Sequence, residues 1–239
     1  MKIVFTPDWF LGSDVLIEVF SFLILVLFFA LAYRNYRLSK NKNSLYLGAG
    51  FLIIAMAEVS TVLTKLVLYY DTLFTNQVGQ MIVTYHVINS VDIFYYIGFF
   101  FHKLLTLLGL YVIYRLPLKR RRERDSIFAI CFIIISALFS SSFYYLFHLA
   151  ALVLLMLIIN NYYQIYRKNK SENTLILIVA FSMLALSQTI FILSDLNIFY
   201  VVGQVIQLVS YLILLFLIIR ITRHFEYGRK KERKNRHNI

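Results

Sequence analysis

The sequence predicts an all-α integral membrane protein of seven transmembrane helices, with its N-terminus outside and its C-terminus in the cytoplasm. Three observations predict it: an extreme composition, seven apolar runs long enough to cross a bilayer, and basic residues confined to alternate loops. Of 239 residues, 60% are hydrophobic and 15% charged, and the mean hydropathy is +0.73. A soluble domain carries about 45–50% apolar and about 25% charged residues. That excess of apolar surface has nowhere to go except into lipid.

A helix rises about 1.5 Å per residue, so roughly 20 apolar residues span the hydrocarbon. Such runs lie near 15–33, 45–68, 88–114, 126–142, 144–165, 174–194 and 198–221. The fourth is short, and only Ser140, Ser141 and Ser142 part it from the fifth. Pro7 and Pro117 are the only prolines and both fall outside the runs, so the spans should be unbroken helices. Of the 24 Lys and Arg residues, all but Lys2, Lys65 and Lys103 lie between spans 1 and 2, 3 and 4, 5 and 6, or after span 7. By the positive-inside rule those loops are cytoplasmic, and an external N-terminus with a cytoplasmic C-terminus requires an odd number of crossings. Seven spans satisfy this and six do not.

The organisation that follows is an external segment over 1–13, a transmembrane domain over 14–222 and a basic cytoplasmic tail over 223–239. The first segment, with Pro7, Asp8, Trp9 and Phe10, lacks a basic leader and a cleavage site and reads as a short lip rather than a signal peptide. Tyrosines cluster at both expected interfaces, as Tyr69, Tyr70, Tyr95 and Tyr96 do on one side and Tyr33, Tyr36, Tyr163 and Tyr166 on the other. A net charge of +12 could mean nucleic acid, but its placement on one face suits orientation and anionic headgroups instead. Lys119, Arg120, Arg121, Arg122, Arg229, Lys230 and Lys231 are the expected contacts to lipid or to a partner in a membrane complex, and no nucleic-acid partner is expected.

The chain also resembles itself. At an offset of 130 positions (181 − 51), Tyr36, Arg37, Lys40, Asn43, Phe51 and Ala55 meet Tyr166, Arg167, Lys170, Asn173, Phe181 and Ala185. At an offset of 105 (203 − 98), Ile93, Phe94, Tyr95 and Gly98 meet Ile198, Phe199, Tyr200 and Gly203. Apolar bias inflates such matches but does not explain the aligned Tyr-Arg, Ile-Phe-Tyr and Gly. Spans 1–3 (14–116) and 5–7 (144–222) therefore read as parallel repeats, joined by span 4 (126–142) as linker helix.

This three-plus-one-plus-three plan resembles that of SWEET and PQ-loop transporters and, more remotely, of rhodopsins. The likeness is one of architecture: there is no Pro-Gln in spans 1 and 5, and no lysine between Lys170 and Lys230 to hold retinal. The stretch YRNYRLSKNKNSLYLGAGFLIIAMAE (Tyr33 to Glu58), with FTPDWFLGSDVLIE (Phe5 to Glu18) before it, resembles a family of archaeal seven-span membrane proteins. That resemblance implies a fold and an origin and carries no activity. No cofactor, retinal or metal is expected.

Ionisable groups within hydrocarbon are costly and mark functional candidates. Measured from the cytoplasmic ends, Glu58 lies roughly 20 Å up span 2, and His102 and Lys103 roughly 16–18 Å up span 3. A Glu58–Lys103 ion pair with His102 beside it is the geometric expectation. The repeat aligns Glu58 with Gln188 and His102 with Gln207, giving a midplane layer drawn from four helices. A second layer holds Glu18, Lys65, Asp92, His148, Asp195 and Gln204. Lys65 and Asp92 are near enough to the headgroups to reach them by snorkelling, and His148 reads as an interfacial or helix-bonded histidine. The expected ligand or ion pocket comprises Glu58, His102, Lys103, Gln188, Gln207, Asp92, Asp195 and Gln204, opening outward between the repeats. Buried polar groups also glue membrane helices together, at about 0.6–2 kcal/mol per hydrogen bond, so packing competes with binding at each position.

No H-E-x-x-H, phosphate-binding glycine loop or G-x-S-x-G occurs, and the single cysteine, Cys131, lies in an apolar run, so an enzyme is not expected. Binding, with or without transport, of a small polar solute or ion is the leading reading. The alternative is a non-catalytic sensor, scaffold or accessory subunit whose basic tail meets a partner.

Overall fold

The computed structural model describes residues 8–10, 12–40, 42–75, 84–116, 123–140, 143–193 and 197–237, with side chains described in 9–10, 12–40, 42–67, 95–116, 127–140, 143–193 and 198–223. Every long apolar run becomes a helix: α1 Ser13–Ser39, α2 Lys42–Thr75, α3 Thr84–Arg115, α4 Glu123–Phe139, α5 Tyr144–Asn169, α6 Glu172–Ile192 and α7 Asn197–His237. A single turn of 3-10 helix, Asp8–Phe10, precedes α1. Six of the seven helices are long and apolar enough to cross a membrane, and the protein is a multi-pass membrane protein. The exception is α4, which has 17 residues, of which Ile127–Phe139 form its described apolar part.

Cross-helix contacts give the direction of each helix. Asn35 donates to Ser44 across the α1–α2 turn, Ser60 donates to the Gly98 carbonyl between α2 and α3, and Ser210 donates to the Ala180 carbonyl between α6 and α7. With the further contacts Lys65–Asp14, His102–Ala57, His148–Gln188, Tyr162–Phe181 and Phe191–Tyr200, each of these neighbouring pairs, and α5 with α6, runs antiparallel. Helices α3 and α5 differ. His102 faces Phe147, and twelve residues further along α3 the Tyr114 carbonyl accepts from Asn161, so these two helices run parallel. The chain between them must return the length of the bundle, and α4, about 25 Å long at the helical rise, lies on that path against α3 and α5. A short α4 thus lies where the sequence placed the fourth span as linker helix.

Packing closes the other six helices into a ring in the order α1, α2, α3, α5, α6, α7 and back to α1, with α4 outside it. The pattern of α1 shows why. Asp14, Glu18, Ser21, Leu25, Phe28, Ala32 and Asn35 are buried at steps of four and three, one helical stripe, whereas Leu16, Phe20, Leu23 and Leu27 are exposed on another. Large apolar side chains stay outward elsewhere too, such as Phe128, Phe132 and Ile135 on α4 and Val205, Leu212 and Phe216 on α7. In water such stripes would drive aggregation; in a bilayer they are the lipid-facing surface.

The two hairpin turns share one device. Lys40 and Lys170 adopt left-handed φ values of 56° and 47°, and their N–H groups cap the carbonyls of Tyr36 and Tyr166, both at 2.7 Å. These turns and the described ends of α3 and α7 gather Arg34, Arg37, Lys42, Arg115, Arg167 and Arg220 at one end of the bundle. An apolar plug fills the ring next to that end. Phe51 and Phe181, neither accessible, stack with centroids 6.2 Å apart and planes 8° apart, and Phe28 and Tyr162 flank them.

Candidate functional site

Beyond the plug the ring surrounds a cavity of about 130 Å³ to which all six ring helices contribute, room for roughly four waters. Its polar lining is Glu18 from α1; Glu58, Thr61 and Lys65 from α2; His102, Lys103 and Thr106 from α3; Tyr144 and His148 from α5; Gln188 from α6; and Tyr200, Gln204, Gln207 and Tyr211 from α7. Phe99, Phe147 and Phe191 add aromatic walls, and Ile54, Leu110, Leu155 and Leu184 complete it on the apolar side. Helical spacing explains the assembly: Glu58 and Lys65, and Gln204 and Tyr211, are seven residues apart and so share a face.

The expected Glu58–Lys103 ion pair does not form. Glu58 Oε1 instead accepts from Gln207 Nε2 at 3.3 Å and from the Tyr211 hydroxyl at 3.5 Å. The Lys103 ammonium donates to the Ser140 carbonyl at 3.0 Å, at the end of α4. The physical reason is lateral: α3 stands between α2 and α5, with α4 packed outside, so a long side chain on it can reach the free carbonyls where α4 ends. Equal depth along two helices did not imply contact.

Lys65 does not snorkel. Its side chain is 2% exposed, and all three ammonium donors are used, on Asp14 Oδ2 at 2.7 Å, Glu18 Oε1 at 2.5 Å and the Tyr200 hydroxyl at 3.1 Å. A lysine stem that can end on two carboxylates gains nothing by reaching for water. Asp14 also accepts from the N–H groups of Gly12 and Val15, which ties the start of α1 to the triad. Glu18 Oε2 is buried without a hydrogen-bond partner among the described residues, and Glu18 and Glu58 line the same cavity.

Both histidines are held by Nδ1. His102 Nδ1 lies 3.1 Å from the Ala57 carbonyl, which can only accept, so Nδ1 carries the proton. His148 Nδ1 lies 2.8 Å from Gln188 Oε1, a bond between α5 and α6. Of the remaining expected pocket residues, Gln188, Gln204 and Gln207 line the cavity, while the side chain of Asp92 and the whole of Asp195 lie outside the described residues. So do Lys119, Arg120, Arg121 and Arg122, and the side chains of Arg229, Lys230 and Lys231.

Sequence reasoning missed Asp14, Thr61, Thr106, Tyr144, Tyr200 and the aromatic walls. Asp14 and Glu18 stand four apart, one helical turn on one face, so an acidic pair awaiting a cation was there to be read. The aromatic residues carried no such signal, since Phe and Tyr also populate the lipid face. No protein-family model, no curated protein and no solved structure matches this chain.

Proposed function

We propose that this protein binds a small polar solute or ion in the cavity between two parallel three-helix repeats and carries it across the membrane. The observation that supports the reading best is the pairing of the lining residues. At the offset of 130 (188 − 58), Glu18, Ile54, Glu58 and Thr61 correspond to His148, Leu184, Gln188 and Phe191; at the offset of 105 (207 − 102), Phe99, His102 and Thr106 correspond to Gln204, Gln207 and Tyr211. Both members of every pair line the cavity. The same offset of 130 relates the ends of α1 and α5 (Ser39, Asn169) and the starts of α2 and α6 (Lys42, Glu172). A cavity astride such a pseudo-twofold is where repeat-built transporters bind and rock their halves. The basic end faces the cytoplasm in this reading, and the basic loop and tail meet anionic headgroups of the cell membrane.

Thermal unfolding of the purified chain in detergent, with ions and small metabolites between pH 5 and 8, tests the proposal. A ligand at 100 times its dissociation constant stabilises by about 2.7 kcal/mol. Wild type should show such a shift and Glu58→Gln should lose it, while the glutamine oxygen still accepts from Gln207 and Tyr211. A chain that no solute or ion stabilises would sink the reading.

One feature favours a second reading, a sensor or scaffold: α7 continues as one helix to His237, about 21 Å beyond Arg223 at the helical rise. Deleting 229–239 should then strip co-purifying partners, and an unchanged partner set would reject it.

A further inference from the structure

Resting on that reading, we infer that the ligand is a small zwitterion, its ammonium held by Glu58 and Glu18 and its carboxylate by Lys103. The cavity is symmetric in shape but not in charge. Glu18, Glu58, Lys65, His102 and Lys103 all belong to α1–α3, whereas the α5–α7 side offers His148, the neutral amides of Gln188, Gln204 and Gln207, and aromatic rings.

Within the charged half Lys65 is paired with Glu18, but Glu58 and Lys103 are held apart from any opposite charge among the described residues. Glu58 Oε1 is occupied by neutral donors and Oε2 has no partner among the described residues. Glu18 Oε2 is a second carboxylate oxygen without one, on a side chain that is nine-tenths buried or more. An unsatisfied buried acceptor carries a standing desolvation cost; a cation between the two carboxylates would satisfy Glu18 Oε2 and give Glu58 Oε2 a partner.

The pseudo-equivalent pair makes the same point by contrast. His148 and Gln188 bond directly at 2.8 Å, while Glu18 and Glu58, two acceptors, need a donor placed between them. Lys65 does not serve, because its three donors are spent on Asp14, Glu18 and Tyr200. A transition-metal ion does not suit the site either, since among the described residues no group of three or more His, Cys, Asp and Glu is placed to hold one. An ammonium, with several N–H donors or methyl groups and the aromatic walls around it, does.

At the other pole Lys103 spends one donor on the Ser140 carbonyl and keeps two on the cavity. A ligand carboxylate takes those two. The aromatic rings of Phe99, Phe147 and Phe191 then pack on the aliphatic body, and about 130 Å³ admits roughly six non-hydrogen atoms, since a cavity of about 150 Å³ holds benzene. A small α-amino acid or betaine has that size and both poles; an amine or an acid alone satisfies one.

The experiment sets zwitterions against their own halves. The full chain in detergent is titrated with L-amino acids and their N-methylated betaines, each beside its decarboxylated amine and its deaminated acid, as L-alanine beside ethylamine and propanoate. At least one zwitterion should raise the unfolding midpoint with an apparent affinity at least about tenfold above both halves, one charged contact apiece. Glu58→Gln and Lys103→Gln should each remove the advantage, the latter retaining a donor for Ser140. An amine that matches its zwitterion makes this a cation site, and an acid that matches makes it an anion site. Either result overturns the inference and leaves the cavity as the binding site. So does a zwitterion effect that survives both substitutions. No shift from zwitterion, amine, acid or inorganic ion overturns the inference together with the reading beneath it.

Discussion

Lys65 is the residue on which the charged half of the ring depends. Removing one member of a buried ion cluster leaves the others uncompensated, at about 3–5 kcal/mol. Lys65→Met should therefore lower the unfolding midpoint strongly, because Asp14 and Glu18 lose their shared cation. Adding Asp14→Asn and Glu18→Gln should recover much of the loss; a triple variant no better than Lys65→Met would mean that the triad is not the source of the penalty. Glu58 and Lys103 should behave in the opposite way. Each has neutral partners of its own, so the stability losses of Glu58→Gln and Lys103→Met should add to within about 0.5 kcal/mol in a double-mutant cycle. A larger coupling would show that the two charges meet in solution.

At the scale of elements, close approach between α2 and α3 depends on a missing side chain. The Gly98 carbonyl accepts from Ser60 at 2.8 Å, and a Cβ at Gly98 would overlap the Thr64 side chain. Small residues that let backbones approach are a main source of helix association in lipid. Gly98→Ala should destabilise by about 1–3 kcal/mol, the range for overpacking, and Thr64→Ala in the same chain should restore part of it. No loss on Gly98→Ala would place α3 further from α2 than the structure does. The matched glycine on α7 plays the same part, since a Cβ at Gly203 would sit 2.7 Å from the Phe191 ring. Sequence comparison found these glycines as an aligned pair, but a glycine in an apolar run has no direction, and only the packing tells which neighbour it admits.

For the whole molecule, the parallel course of α3 and α5 puts the Asp8–Phe10 turn and the α5–α6 turn at opposite ends of the bundle. Trp9 is 68% exposed and Ser171 opens the second turn, so both positions accept a reporter. In a Cys131→Ser background, a membrane-impermeant maleimide should label Trp9→Cys in intact cells and Ser171→Cys only after permeabilisation. The reverse pattern would invert the assigned orientation, and labelling of both in intact cells would show an even number of crossings between them, as when α4 does not cross. The Phe51–Phe181 stack seals the cavity on the basic side, so access in this conformation is from the other side or within the ring.

What the sequence determined by itself is whatever depends on counting along one chain: the membrane class, the helices, the two basic turns matched at a common offset, and the charged and amide residues that reach one cavity. Hydrophobicity, helical period and repeat offset are one-dimensional, and they survive folding unchanged. Tertiary structure decided the pairings, because which side chains meet depends on rotation about each helix axis and on the order of helices around the ring. Glu58 and Lys103 share a depth and still do not touch, since the end of α4 offers Lys103 a carbonyl. Lys65 turns inward because α1 presents Asp14 and Glu18 on the face it meets, and Phe51 meets Phe181, its match at the offset of 130 (181 − 51), because α2 and α6 both present these rings to the inside of the ring of helices.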